Sequence, residues 1–260
     1  MGNVSGHFGT PQHYVLDFTH VYDDEHLKDR KRFRWIDCSD IEGSNLYCSP
    51  QAERQVSSRI SPYGIHGIHF VDSGNYHYVT KIITDQIRQP FSLAMFDHHT
   101  DMQPPMLGGM MSCGDWAGLV LDQNKYLQQF ILIGPLAEDL AQIHTRHPEK
   151  LLTFSAQEIR RGEGRGKLEQ IRKDVPWYLS IDKDVLDEKY SETNWNQGEM
   201  SLGMMEHMLK FFVEQAPVYG VDICGECSAD MDLPEYLQAE EINGRTNEEL
   251  FRYLGRYLLG

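Results

Sequence analysis

"FSLAMFDHHTD", residues 91–101, sets an almost wholly apolar run against a tail in which Asp97, His98, His99 and Asp101 crowd together. Apolar residues of both parities mark a strand covered on both faces, and the sudden polarity marks its carboxyl end. Similar runs occupy 14–18, 67–71, 130–133, 151–154, 177–181 and 218–223. Between most of them lie helical patterns, clearest at 50–60, 76–88, 116–121, 158–173, 201–215 and 247–259. The last is expected to open with a capping box in which Thr246 faces Glu249. Strand and helix alternate from end to end, which predicts an α/β fold: a three-layer α/β/α sandwich with a mostly parallel central sheet of about eight strands. No internal repeat or long linker interrupts the pattern, and "RRGEGRGK" reads as an exposed loop beside a helix, so one domain over 1–260 is expected.

The chain of 260 residues carries 24 basic and 39 acidic side chains, a formal net charge of −15. That sign excludes nucleic acid and anionic membrane surfaces as expected partners and favours cations. The first twenty residues show no apolar core behind a basic start, and no run approaches the roughly 20 apolar residues that cross a bilayer. With five cysteines, an odd count unlike a disulfide scaffold, the expectation is a soluble protein of the cytoplasm.

In an open parallel sheet, ligands bind beyond the carboxyl ends of the strands. Three such ends are rich in acids: 91–96 leads into Asp97, His99 and Asp101, 177–181 into Asp182 and Asp184 of "SIDKDVLD", and 218–223 into Glu226. His77, past the turn "DSGNYH", is a fourth candidate. Carboxylates gathered in a partly dry cleft repel, and desolvation adds several kcal/mol per ion unless positive charge compensates. Lys183 is the basic residue within these motifs, and strand alternation turns it away from Asp182 and Asp184. The compensating charge is therefore expected to be metal. A hard, oxygen-rich set with some imidazole favours manganese, with zinc, iron and cobalt left open, and six ligands suit two ions sharing carboxylates.

"DHHTD" resembles the Asp-Ala-His-Thr-Asp motif of the arginase and agmatinase family of ureohydrolases; "SIDKDVLD" is similar to its Ser-x-Asp-x-Asp-x-x-Asp motif, and "SGNYH" to its Gly-Gly-Asp-His segment. The likeness spans about residues 65–230 and implies an arginase- and deacetylase-like fold. It also implies two Mn2+ ions, one held by His77, Asp97, Asp101 and Asp182 and the other by Asp97, His99, Asp182 and Asp184, with Asp97 and Asp182 bridging. In such enzymes a hydroxide between the ions attacks a guanidinium carbon, and urea and an amine leave; Asp101 would accept a hydrogen bond from that hydroxide. Glu226, in "VDICGE", resembles the glutamate that pairs with the substrate guanidinium, although the family spacing is one residue shorter. Trimers or hexamers are common among such relatives.

Cys113, in "MMSCGDW", stands where ureohydrolases carry a proton-shuttling histidine. A thiol can donate a proton, but its reference pKa near 8.5 lies above the imidazole range; the other reading is a small apolar filler. The loop "MQPPMLGGMMS" offers few polar groups for an α-amino acid, which points away from arginine as substrate, and its methionines either line an apolar channel or, the favoured reading, pack the loop down. By parity His98 points away from the ligands, Cys224 and Cys227 form one C-x-x-C pair without a second, and His66, His69, His144 and His147 are expected at the surface or at element ends. The sequence thus supports a dimanganese hydrolase cleaving a C–N bond of a small cationic guanidino or amidino compound. A metal-dependent amide hydrolase or deacetylase of the same superfold and a non-catalytic metal-binding relative are the alternatives.

Overall fold

The computed structural model describes residues 10–22, 27, 30–105, 108 and 110–258. Residues 1–9, 23–26, 28, 29, 106, 107, 109, 259 and 260 lie outside the described residues, among them three positions of the methionine loop and the expected helix end at 259. Ten strands are described: β1 (His13–Asp17), β2 (Phe33–Asp37), β3 (Tyr47–Cys48), β4 (Ile68–Val71), β5 (Phe91–Phe96), β6 (Met111–Ser112), β7 (Leu127–Ile133), β8 (Leu151–Phe154), β9 (Trp177–Asp182) and β10 (Val218–Cys224). Eight form one sheet in the order β2-β1-β4-β10-β9-β5-β7-β8, with every pairing parallel, while β3 and β6 make a small antiparallel pair.

The both-faces pattern of the strands has a direct counterpart in packing. In β5, Leu93 and Met95 enter one core while Ala94 and Phe96 enter the other. The first core is closed by α1 (Pro50–Ile60), α2 (Val79–Thr84) and α3 (Trp116–Gln123). The short α4 (Ala137–Leu140) follows β7, and α5 (Ala156–Arg161) follows β8. The second core is closed by α6 (Leu202–Gln215) and α7 (Leu233–Leu258). This is the three-layer α/β/α arrangement the alternation predicts.

The topology places a crevice. Strands β4 and β5 follow one another in sequence, yet two slots between them are filled later by β9 and β10. The chain therefore places β1, β2 and β4 on one side of this gap and β5, β7 and β8 on the other, which makes it a switch point of the kind at which open α/β sheets bind ligands.

Several expectations need correction. The pattern at 76–88 resolves into a single 3-10 turn, Gly74–Tyr76, and the six-residue α2. Likewise, 158–173 breaks at Gly162, whose φ of 65° ends α5 in the left-handed region. No helix starts at Thr246, because α7 is continuous over 26 residues. Thr246 Oγ1 instead donates to the Tyr190 carbonyl across a tertiary contact, so a polar pair that reads as a cap is used for docking. His69 lies within β4, fully buried and stacked on Tyr14 with ring centroids 3.7 Å apart; burial pushes its imidazole down to about 3. Strand β2 hides behind its basic neighbours, and Phe33 and Ile36 are its buried residues.

Candidate metal centre

Cys224 pairs with Asp182 across β10 and β9, and Phe96 pairs with Ile181 across β5 and β9. One further step brings Asp97 abreast of Asp182. Three adjacent strands therefore end in side chains at one level, on the face covered by α1 to α3. His77 reaches the same level from the turn after β4, and Asp101 from the loop after β5, where a φ of 49° bends the chain back.

The six expected ligands converge. His77 Nδ1 lies 3.1 Å from Asp97 Oδ2, 3.0 Å from Asp101 Oδ2 and 3.6 Å from Asp182 Oδ2. His99 Nδ1 lies 2.7 Å from Asp184 Oδ2 and 3.6 Å from Asp97 Oδ1. Three donor clusters result among the described residues: His77 with Asp97 and Asp101, His99 with Asp97 and Asp184, and His77 with Asp182 and Cys224. The first two share Asp97, which turns one oxygen to each.

Whether these groups suit a cation is tested by the atoms left over. His77 Nδ1 and Asp97 Oδ2 are buried and neither has a hydrogen-bond partner. Such orphaned atoms cost about 1–3 kcal/mol each, and two lone-pair donors facing one point fit a metal ion. The rear of His77 is fixed in the matching sense: Nε2 meets Ser180 Oγ at 2.9 Å, and Ser180 Oγ donates to Asp222 Oδ1 at 2.8 Å. A proton on Nε2 leaves Nδ1 free to ligate. Trp116 Nε1 donates to Asp101 Oδ2 at 2.7 Å, and the backbone of Asp184 donates to Asp182 Oδ1 at 3.0 Å.

Electrostatics carries the same message. Burial, then Asp182 and Asp97, raises the Asp184 carboxyl well above its ordinary value. Burial and the Asp97 charge raise Asp101 to about 6. Burial alone would lower His99, but Asp184 and Asp97 raise it to about 12. Without an ion, protons must offset the gathered negative charge; divalent cations would release them.

The cluster forms the floor of a cavity of about 250 Å³. Its walls include Leu46, Tyr47, Gln103, Pro104, Ser112, Cys113 and Trp195. No lysine or arginine is among the described lining residues. Cys113 is thus at the cavity as expected, and burial, followed by Asp101, pushes its thiol up to about 12. His98 does not line the cavity; its backbone N–H donates to Asp184 Oδ1 at 2.9 Å. Met102 and Met111 are buried, the packing role expected of the loop methionines.

Glu226 is the exception. It is buried and absent from the cavity wall; its Oε1 accepts from Lys183 Nζ at 2.5 Å and from Asn247 Nδ2 at 2.8 Å. Both contacts fall on Oε1 of the carboxylate that was expected to meet a substrate guanidinium. The reason lies one residue earlier, where Gly225 has a φ of 93° and breaks the strand alternation that would have kept Glu226 beside Cys224. Lys183 turns away from Asp182 and Asp184, as parity requires, and ends in this buried pair.

Trp195 and the Ser180–Asp222 support did not stand out in the sequence, and Cys224 stood out only as half of a C-x-x-C pair, not as a neighbour of Asp182. Parity within "LSID" places Ser180 with Asp182, but Cys224 is found only once the β9–β10 register is known. Trp195 arrives on a long loop, its Nε1 donating to Asn75 Oδ1 at 3.0 Å.

The arginase family model matches residues 13–233. The chain belongs to the arginase family. An uncharacterised protein of Thermotoga maritima is 28% identical over 238 residues, covering 90% of this chain and 87% of its own. Among solved structures, formimidoylglutamase from Bacillus subtilis superposes with a TM-score of 0.64 at 14% identity, covering 96% of this chain and 87% of that one. A hypothetical agmatinase from Burkholderia thailandensis gives 0.61 at 14% identity, with 97% and 88% covered. A triple mutant of the T. brucei arginase-like protein, bound with Mn2+, gives 0.56 at 14% identity, with 93% and 91% covered. At such identities the structural likeness speaks for the fold, and the family assignment rests on the family model.

Proposed function

We propose that this arginase-family chain is a metal-dependent hydrolase that cleaves a C–N bond of a small cationic guanidino or amidino compound, releasing urea or an amide together with an amine. The observation that carries the reading is the pair of donor clusters joined through Asp97. His77, Asp97, Asp101 and Asp182 would hold one divalent ion; Asp97, His99, Asp182 and Asp184 would hold the second. Manganese is the first choice for the oxygen-rich half. When bound, such a pair supplies Lewis acidity and makes water acidic enough to act as a nucleophile near neutral pH.

The chain's own groups account for the rest. Buried carboxylates draw a cation to the cavity floor. Asp101, fixed by Trp116, presents a carboxylate where the attacking water would need an acceptor. Cys113 presents a protonated thiol to the same space, and a thiol held near 12 is a reluctant acid. Leu46, Tyr47, Pro104 and Trp195 give the non-reacting end of the substrate an apolar wall, with no basic group for an α-carboxylate among the described lining residues. A carboxylate-free guanidino or amidino amine therefore fits better than arginine.

The test is product release from manganese-loaded protein across guanidinoalkanes, amidines and acyl amines, with arginine as comparator. Turnover should be highest with carboxylate-free guanidino or amidino compounds. Selective turnover of acyl amines would favour the amide-hydrolase reading instead. Two ions bound with no turnover at all would favour a non-catalytic relative, a reading the high thiol pKa and the engaged Glu226 support.

A further inference from the structure

From the geometry we infer that Cys224 is itself a metal ligand: the thiolate completes the inner of the two positions and makes it a mixed sulfur–nitrogen–oxygen site. This rests on the two-ion reading above and adds a donor and a metal preference to it. Cys224 ends β10 in register with Asp182, and its Sγ lies 3.2 Å from Asp182 Oδ2. The donor atoms of His77, Asp182 and Cys224 all lie within 4.8 Å of one another, and all three residues are buried. A second observation points to a ligand independently of the cysteine: His77, 1% exposed, aims Nδ1 into this space with no hydrogen-bond partner.

Asp182 packs against two glycines: a Cβ on Gly74 would come within 2.9 Å of its Oδ2 and one on Gly225 within 2.4 Å of its Oδ1, so the carboxylate takes its place beside the sulfur because neither residue carries a side chain. Cys113, the other thiol near the cavity, belongs to none of the donor clusters among the described residues.

Ligation is balanced simply. The S–H bond of Cys224 breaks, a sulfur–metal bond forms and the proton leaves to solvent, with no oxidant or reductant required. A soft donor beside imidazole shifts preference from manganese toward zinc, cobalt or ferrous iron at this position. The other position, built from His99 and carboxylates, keeps its hard donor set.

The experiment is titration of the chelator-stripped full chain with Co2+, followed by absorption. We expect two Co2+ per chain and a near-ultraviolet sulfur-to-cobalt charge-transfer band, lost in Cys224→Ser and retained in Cys113→Ser and Cys227→Ser. Binding of Co2+ without that band would overturn the inference while leaving the two-ion reading intact. Loss of the band in Cys113→Ser in place of Cys224→Ser would also overturn it. Failure of the wild-type chain to bind Co2+ would remove the metal-centre reading and this inference together. Should Cys224→Ser not fold, the band in the wild-type chain and its persistence in the other two variants still decide the assignment, because Cys38 and Cys48 lie in the core beneath α1.

Discussion

Asp72 shows what burying an acid costs. Its carboxylate accepts from the backbone of Phe18, Thr19 and Ser73 at 2.7–2.9 Å, yet burial raises its pKa to about 6. An unfolded aspartate titrates near 3.9. The folded state therefore holds a proton over the interval in which the unfolded chain has lost it, so this residue's contribution to stability falls as pH rises from about 4 to about 6, by on the order of 3 kcal/mol. Urea midpoints measured across that range should show the decline in the wild-type chain and a flatter profile in Asp72→Asn; an unchanged slope would contradict the assignment. At Cys113 the same burial argument bears on catalysis. General acid catalysis contributes 10²–10⁴-fold, whereas a thiol near 12 should supply less. Cys113→Ala is expected to keep both metal ions and lose less than about tenfold in turnover, and a loss in the larger range would assign the proton transfer to the thiol. Single residues were legible at the strand ends, where Asp97 follows β5 and Asp182 closes β9; His99, Asp101 and Asp184 share their parity and join them because the chain curls just beyond, with a φ of 49° at Asp101. Glu226 was misread because the positive φ of Gly225, a property of the folded chain, cancels parity at that point.

At the level of elements, the ends of β9 and β10 are locked to α7. Lys183 Nζ bridges Glu226 Oε1 at 2.5 Å and Asn247 Oδ1 at 3.0 Å, all within the interior. Removing one charge from a buried pair strands the other, at about 3 kcal/mol. Glu226→Gln should therefore lower the melting temperature while leaving two bound ions and an unchanged KM, whereas a raised KM with normal stability would restore Glu226 to the substrate. Gly225 serves the same junction. A methyl there would sit 2.4 Å from Asp182 Oδ1 and 2.8 Å from the Lys183 nitrogen. Gly225→Ala is expected to cost about 1–3 kcal/mol and to release at least one metal ion, read by melting and metal analysis. Seven of the sheet strands announce themselves as apolar runs, and in all but edge strand β8 both faces are buried. Edge strand β2 does not, since three of its five residues keep some exposure. The start of α7 was hidden for a different reason: its first turns are amphipathic and partly exposed, so Thr246 and Asn247, used for docking, looked like the beginning of the helix.

Over the whole molecule, a net charge of −15 and a sheet whose chain order reverses at β4 and β5 converge on one point, a negative crevice at the carboxyl edge. The fold could be read from alternation alone; the strand order could not, because nothing local says that β9 and β10 fill the central gap. No described helix is long and apolar enough to cross a membrane. Ions held only by the folded state raise its stability, each by about 2.7 kcal/mol at a hundredfold excess over its Kd. The most direct measurement is the number of Mn2+ ions bound per chain at equilibrium, in the wild-type protein and in Asp182→Ala. Two are expected in the first and loss of binding in the second, with a matching fall in melting temperature. A wild-type chain that binds no manganese or other divalent ion, or an Asp182→Ala chain that still holds two, would contradict the metal centre.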